Sequence, residues 1–308
     1  MIEFLVNKKG LEKTETWENN SWINIEVPTK EDKKYIINSL NIPEEFYNDI
    51  EDIDERSRIE IENGWTFVLL RIPYKDVNHS SPYFTVPLGV LFKEDVFVTI
   101  CFYKTDLIGD FINFTKRKNI VKHDNFEFVL RFLLSSSVWF LKYLKQINQE
   151  IKYAENKLEK SIRNEEVQAL FNIEKSLVYF TTSLRGNDIL LHRLKNLTNA
   201  KNDFNKELIE DVEIELRQAL ETTKIFSDIL SGMMDAYASV ISNNLNVIMK
   251  RLTSISIILM LPAVIANFYG MNVPNSLQNN PFGFWIVITI SLITTIVGVL
   301  FLVKKKWF

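Results

Sequence analysis

Residues 252–269 read LTSISIILMLPAVIANFY, and residues 282–303 read FGFWIVITISLITTIVGVLFLV. Neither stretch contains a charged residue, nor does the linker between them, whereas charged residues are frequent before Leu252. Each is close to the roughly 20 apolar residues that cross a bilayer as a helix. The alternative is a buried hairpin in a soluble core, which the charge-free length disfavours. Lys250 and Arg251 precede the first span and Lys304, Lys305 and Lys306 follow the second, while the linker 270–281 carries no basic residue. The positive-inside rule then places both termini in the cytoplasm and the linker outside. The expectation is a multi-pass protein of the inner or plasma membrane. Trp285 and Trp307 lie near opposite ends of the second span, as interface anchors do.

The two spans differ. The first contains Ser254, Ser256, Pro262 and Asn267. Proline is tolerated in a membrane helix where neighbours or water satisfy the freed carbonyl. An asparagine is costly against lipid and should face protein or water. The second span is apolar and rich in β-branched residues, which suits an outer, lipid-facing helix.

The chain has 308 residues and a net charge of −3, without the basic footprint of a nucleic-acid binder. Cys101 is the only cysteine, so no intrachain disulfide forms, which suits a reducing cytosol. The first residues do not read as a signal peptide, because residues 2–6 are too short for an apolar core and Lys8 and Lys9 follow them. Strand signals occur in EFLV at the start, WINIEV from Trp22, TFVLLRI from Thr66 and two apolar runs between Tyr83 and Phe102. Residues 30–40 and 44–53 read as helices, and Asn63–Gly64 as a turn. From Asn125 the pattern is helical: one helix to about Ile162, a second from Glu165 to about Lys195, then a polar break. The last long helix runs without a breaker from about Phe204 to Tyr269, roughly 100 Å at 1.5 Å per residue. The expected organisation is an α/β domain over 1–125, a helical hairpin over 126–202, a stalk helix over 203–251 and a membrane domain over 252–308. The last comprises spans 252–269 and 282–303, the loop 270–281 and the tail 304–308.

Alternating steps of four and three along the last helix trace Asp235, Ser239, Ser242, Asn246, Met249, Thr253, Ser256, Met260, Ala263 and Asn267. The period near 3.5 keeps one seam turned toward partner helices. This seam is polar, small or methionine instead of leucine. A dry core would leave its hydroxyls and amides unpaired. A plain solvent face explains Asp235 to Asn246 but not Thr253 to Asn267, which lie within the span. A water-filled axis explains both, with Met249 and Met260 as constrictions that gate by dewetting. Two spans per chain cannot enclose a pore, so several copies in closed cyclic symmetry are required.

The span ends in Tyr269-Gly270-Met271-Asn272, followed by a short loop, a second span and the tail Lys304-Lys305-Lys306-Trp307-Phe308. This resembles the CorA family of magnesium transporters, whose YGMN signature sits between two membrane helices. The stretch 228–249, with Ser231-Gly232 and Ser242-Asn243, also resembles the family's stalk. Over residues 1–200 the likeness rests on the order of elements alone. The resemblance implies a funnel-shaped homopentamer that passes hydrated Mg2+ inward, with Co2+ or Ni2+ as further cargo. It implies a selectivity filter of Tyr269, Gly270, Met271 and Asn272 at the outer mouth. It also implies regulation by Mg2+ bound between neighbouring subunits, with Asp211 and Asp49 as candidate ligands. Both stand among other acidic residues, as solvated surface charges also do. A ring of Asn272 amides and Gly270 carbonyls suits an ion that gives up its waters reluctantly. Gly270 also suits the left-handed position after a helix.

The chain departs from the family pattern in places. The segment 273–281, VPNSLQNNP, lacks the carboxylates that many relatives carry there. Ala263 stands where a threonine is common and Asn267 where a glycine is common. His79, His123 and His192 lack zinc-type spacing, and Cys101 lies in an apolar strand. No P-loop and no catalytic triad is present, so an enzyme is not expected. Zn2+ transport by the same fold remains open, as does a membrane-anchored coiled-coil scaffold or sensor, against which the polar seam argues.

Overall fold

The computed structural model describes residues 2–7, 10–18, 21–120, 124–160, 164–198, 206–272, 280–305 and 307. They divide into two compact units, Met1–Gly232 and Met233–Phe308.

The first unit is built on a seven-stranded sheet. Its strands are β1 (Ile2–Asn7), β2 (Leu11–Thr14), β3 (Trp22–Glu26), β4 (Arg58–Glu62), β5 (Trp65–Lys75), β6 (Tyr83–Lys93) and β7 (Val96–Cys101), in the order β2-β1-β3-β7-β6-β5-β4. Among the described strands, β3 and β7 pair in parallel and the other neighbours are antiparallel. Asn63 and Gly64 form the two-residue turn between β4 and β5, with φ of 51° and 79°, the left-handed pair that such a hairpin needs. The central strands are apolar almost throughout because both faces are covered. Ile23, Ile25, Phe67, Leu69, Val98 and Ile100 pack against Phe46, Tyr47 and Ile50 of α2 (Glu44–Glu51). The alternate residue Trp22 turns to the other face, into an aromatic cluster with Phe111, Phe128 and Phe132. Those rings belong to α3 (Asp106–Lys118) and α4 (Asn125–Lys160). The fifth helix, α5 (Asn164–Thr198), packs against α4 and against strands β4, β5 and β6.

Three elements went unread in the sequence: β2, β4 and α3. The outer strands β2 and β4 are short, charged and largely exposed, so they carry little apolar alternation. Residues 30–39 form α1 (Lys30–Lys34) running into a π-helical turn (Tyr35–Ser39), capped at its start by Thr29.

A buried polar network ties α5 to the sheet. The fully buried Asn187 accepts from the Arg71 backbone N–H at 3.0 Å and donates to the Arg71 carbonyl at 2.8 Å. It also accepts from the Ser57 hydroxyl at 2.8 Å. The Arg71 guanidinium donates to the carbonyls of Ile53, Glu55 and Thr85, and so holds the acidic segment that follows α2.

The helix α6 (Lys206–Gly270) is unbroken for 65 residues, as the absence of a breaker predicts. Its first part is half-buried: Leu208, Val212, Leu216, Ala219 and Thr223 recur at a spacing of four and three. The second unit contains the rest of α6 and α7 (Gly283–Lys304). Both helices are long and apolar enough to cross a membrane.

Candidate functional site

The polar seam of α6 lies on its uncovered side. Asp235, Ser239, Ser242, Asn246, Met249, Thr253, Ser256, Met260, Ala263 and Asn267 are all exposed in the single chain. The side that meets α7 carries other residues. Ser254 is buried, and Ile258, Leu261, Pro262, Ile265 and Tyr269 are half-buried. Leu261 reaches the backbone of Gly298, where an added Cβ would lie 2.7 Å from its Cδ1. Pro262, Ala266 and Tyr269 line a groove of about 690 Å³ with residues of α7. At 3.6 residues per turn the two sets fall on opposite sides of the helix. One side of the span is therefore occupied by α7, and the seam is left for something else.

Two of the seam's hydroxyls bond within the helix. The Ser239 hydroxyl donates to the Asp235 carbonyl at 3.0 Å, and the Ser256 hydroxyl to the Leu252 carbonyl at 2.9 Å. Those groups are satisfied within the helix. The carboxamides of Asn246 and Asn267 make no such bond. Beside the seam, Ile241, Leu245, Ile248 and Leu252 are exposed, an apolar flank that one chain leaves bare.

The tetrapeptide 269–272 straddles the end of α6. Gly270 is its last residue, and Met271 and Asn272 form a bend beyond it. Gly270 does not take a positive φ, so the left-handed cap expected there is absent. A Cβ built on it meets nothing within 4 Å. Gly270, Met271 and Asn272 are exposed, whereas Tyr269 is turned to the α7 groove. The loop residues 273–279, whose lack of carboxylates is noted above, fall outside the described residues, as do Lys306 and Phe308 of the tail.

The two candidate regulatory carboxylates differ. Asp49, on α2, is bound to Arg58 at 2.6 Å, and the same guanidinium holds Glu60 at 2.7 Å and also Glu55. Partial burial raises the Asp49 carboxyl above its ordinary pKa; Arg58 opposes this, and Glu55 and Glu60 add to it. Asp211, on α6, is exposed. Among the described residues of one chain, no group of three or more His, Cys, Asp or Glu side chains could hold a metal ion.

The family model described as CorA-like Mg2+ transporter protein matches residues 17–305. A cobalt/magnesium transport protein CorA of Methanocaldococcus jannaschii is 28% identical over 260 residues, covering 83% of this chain and 81% of that protein. A second, from Thermotoga maritima, is 25% identical over 272 residues, covering 84% and 75%. The complete structure of the CorA magnesium transporter from M. jannaschii superposes with a TM-score of 0.83 at 24% identity. It covers 100% of this chain and 99% of that one.

Proposed function

The chain belongs to the CorA-like Mg2+ transporter family, and from that premise we propose that it forms a homopentameric channel for hydrated Mg2+, with the seam of α6 lining the pore. The single observation that carries this reading is the position of the seam. Its polar, small and methionine residues occupy the side of the span opposite α7, where lipid would leave amides unsatisfied. Copies of α6 around an axis place that side on water and cover the apolar flank of Ile241, Leu245, Ile248 and Leu252. The α7 helices then face lipid.

Each residue of the site has a distinct task. Asn272 and the Gly270 carbonyl accept hydrogen bonds from the ion's own waters, which avoids the cost of stripping a reluctantly dehydrating ion. The open space at Gly270 lets backbone approach the axis without side-chain obstruction. Tyr269, held in the α7 groove, anchors the mouth from behind. Met249 and Met260 are the apolar constrictions. A potential of about 100 mV, negative inside, supplies roughly 4.6 kcal/mol of inward drive for a divalent ion. Both termini are cytoplasmic by the charge asymmetry of the flanks. The relatives' names support Co2+ as a second cargo. Asp211, exposed on the stalk, is the better regulatory ligand, since Asp49 is already held by Arg58.

The test is Mg2+ uptake into liposomes that hold the purified protein under an inside-negative potassium-diffusion potential, with Asn272→Ala alongside. Uptake by the wild type that the substitution reduces by tenfold or more is expected. Absence of uptake by an intact wild-type protein would remove the Mg2+-channel reading.

A further inference from the structure

Asn267 is an exposed carboxamide inside an apolar span, and no hydrogen bond joins it to another described residue of its chain. It lies on the side of α6 opposite Tyr269 and the α7 groove, in line with Met260 and Ala263. It precedes the last helical residue, Gly270, by three positions, about 4.5 Å along the axis. Against lipid such a group is costly. Two other polar side chains of this span differ: the Ser256 hydroxyl is satisfied by its own helix, and Ser254 is buried on the α7 side.

We infer that Asn267 forms a second ion-binding ring beneath the filter, and so determines affinity and selectivity together with Asn272. The inference rests on the pore reading above. An amide oxygen that accepts from a water of a Mg2+ ion sits about 4.3 Å from the metal, because a metal–oxygen length of about 2.1 Å and a hydrogen bond of about 2.8 Å meet at the bent water. A ring of carboxamides at that radius holds the hydrated ion without replacing its waters. Two such rings in series offer neighbouring sites, and occupancy of one favours departure from the other by repulsion between divalent ions. Ala263, one turn below, offers the ion no ligand, so the second site ends there.

The alternative use of an unpaired amide is to hydrogen-bond the neighbouring copy and hold the helices together. The two uses separate experimentally. Asn267→Ala, Asn267→Asp and Asn272→Ala are reconstituted in full-length form, with Mg2+ the transported ion and assembly checked by size. Asn267→Ala is expected to assemble normally, to raise the concentration for half-maximal uptake about tenfold and to admit Na+ more readily. Asn267→Asp is expected to lower that concentration and to slow maximal uptake, because an ion held more tightly leaves more slowly. Unchanged half-saturation in both variants overturns the inference while leaving the channel intact. Loss of assembly in Asn267→Ala assigns the amide to helix association and also overturns it. Absence of uptake by wild type refutes the pore reading itself and, with it, this inference.

Discussion

Glu26, at the end of β3, accepts a hydrogen bond from the Thr105 backbone N–H at 3.0 Å and is half-buried. Burial raises its carboxyl above the ordinary 4.5; the Thr105 bond opposes this and nearby Glu3 adds to it. A carboxyl whose pKa is raised by folding favours the folded state when protonated. Its benefit is fully present below the unfolded value and is lost as pH rises through the folded one. Glu26→Gln keeps the acceptor and removes the charge. It is expected to raise the melting temperature at neutral pH, with the gain shrinking toward zero below about pH 4.5. A gain independent of pH would assign the effect to something other than the charge. Asn187 works differently, since its side chain serves three partners at once, and none of this is visible from its neighbours in the chain.

At the scale of elements, α2 sits where it does because β6 has no side chain at one position. A Cβ on Gly89 would lie 2.2 Å from Ile50 Cδ1 and 2.5 Å from Cγ1. Ile50 is fully buried and β-branched, so it has little freedom to turn away. Gly89→Ala is therefore expected to cost about 1–3 kcal/mol, measured as a fall in thermal stability. Ile50→Val in the same chain, which removes Cδ1, should recover part of the loss. No recovery would mean that α2 does not rest on this contact. The same notch logic recurs between the spans, where Gly298 admits Leu261.

At the scale of the whole molecule, the stalk part of α6 carries Glu207, Glu210, Asp211, Glu213 and Glu215 in one short stretch. Glu213 is bound to Lys195 at 2.6 Å, whereas Asp211 is exposed. Copies of that stretch brought around an axis repel one another unless a cation stands between them. Chelation of internal divalent ions is expected to increase uptake several-fold, and Asp211→Asn to abolish that increase. The measurement is Mg2+ uptake into liposomes whose interior Mg2+ is either buffered near zero or held at millimolar levels. An equal response in variant and wild type would leave Asp211 without a regulatory role.

The two long apolar helices, α6 unbroken among them, were legible in the sequence, because each depends on local composition or on a helical period. Charge exclusion over tens of residues needs no tertiary context, and neither does a spacing of four and three. The central strands were legible as apolar runs because both faces of the sheet are covered. The outer strands β2 and β4 were not, since they are short and charged and are held by pairing with their hairpin neighbours instead of by an apolar alternation; α3 carries a local signal in the Thr105 cap and the spacing of Leu107, Ile108, Phe111 and Thr115, which the strand-like surroundings masked. A seam names one side of a helix but not what occupies the other. Only the tertiary structure decided that α7 takes the opposite side and that Tyr269 turns to it. It also decided that Arg58 engages Asp49. Those outcomes depend on groups that meet through folding, at separations along the chain over which sequence carries no distance information.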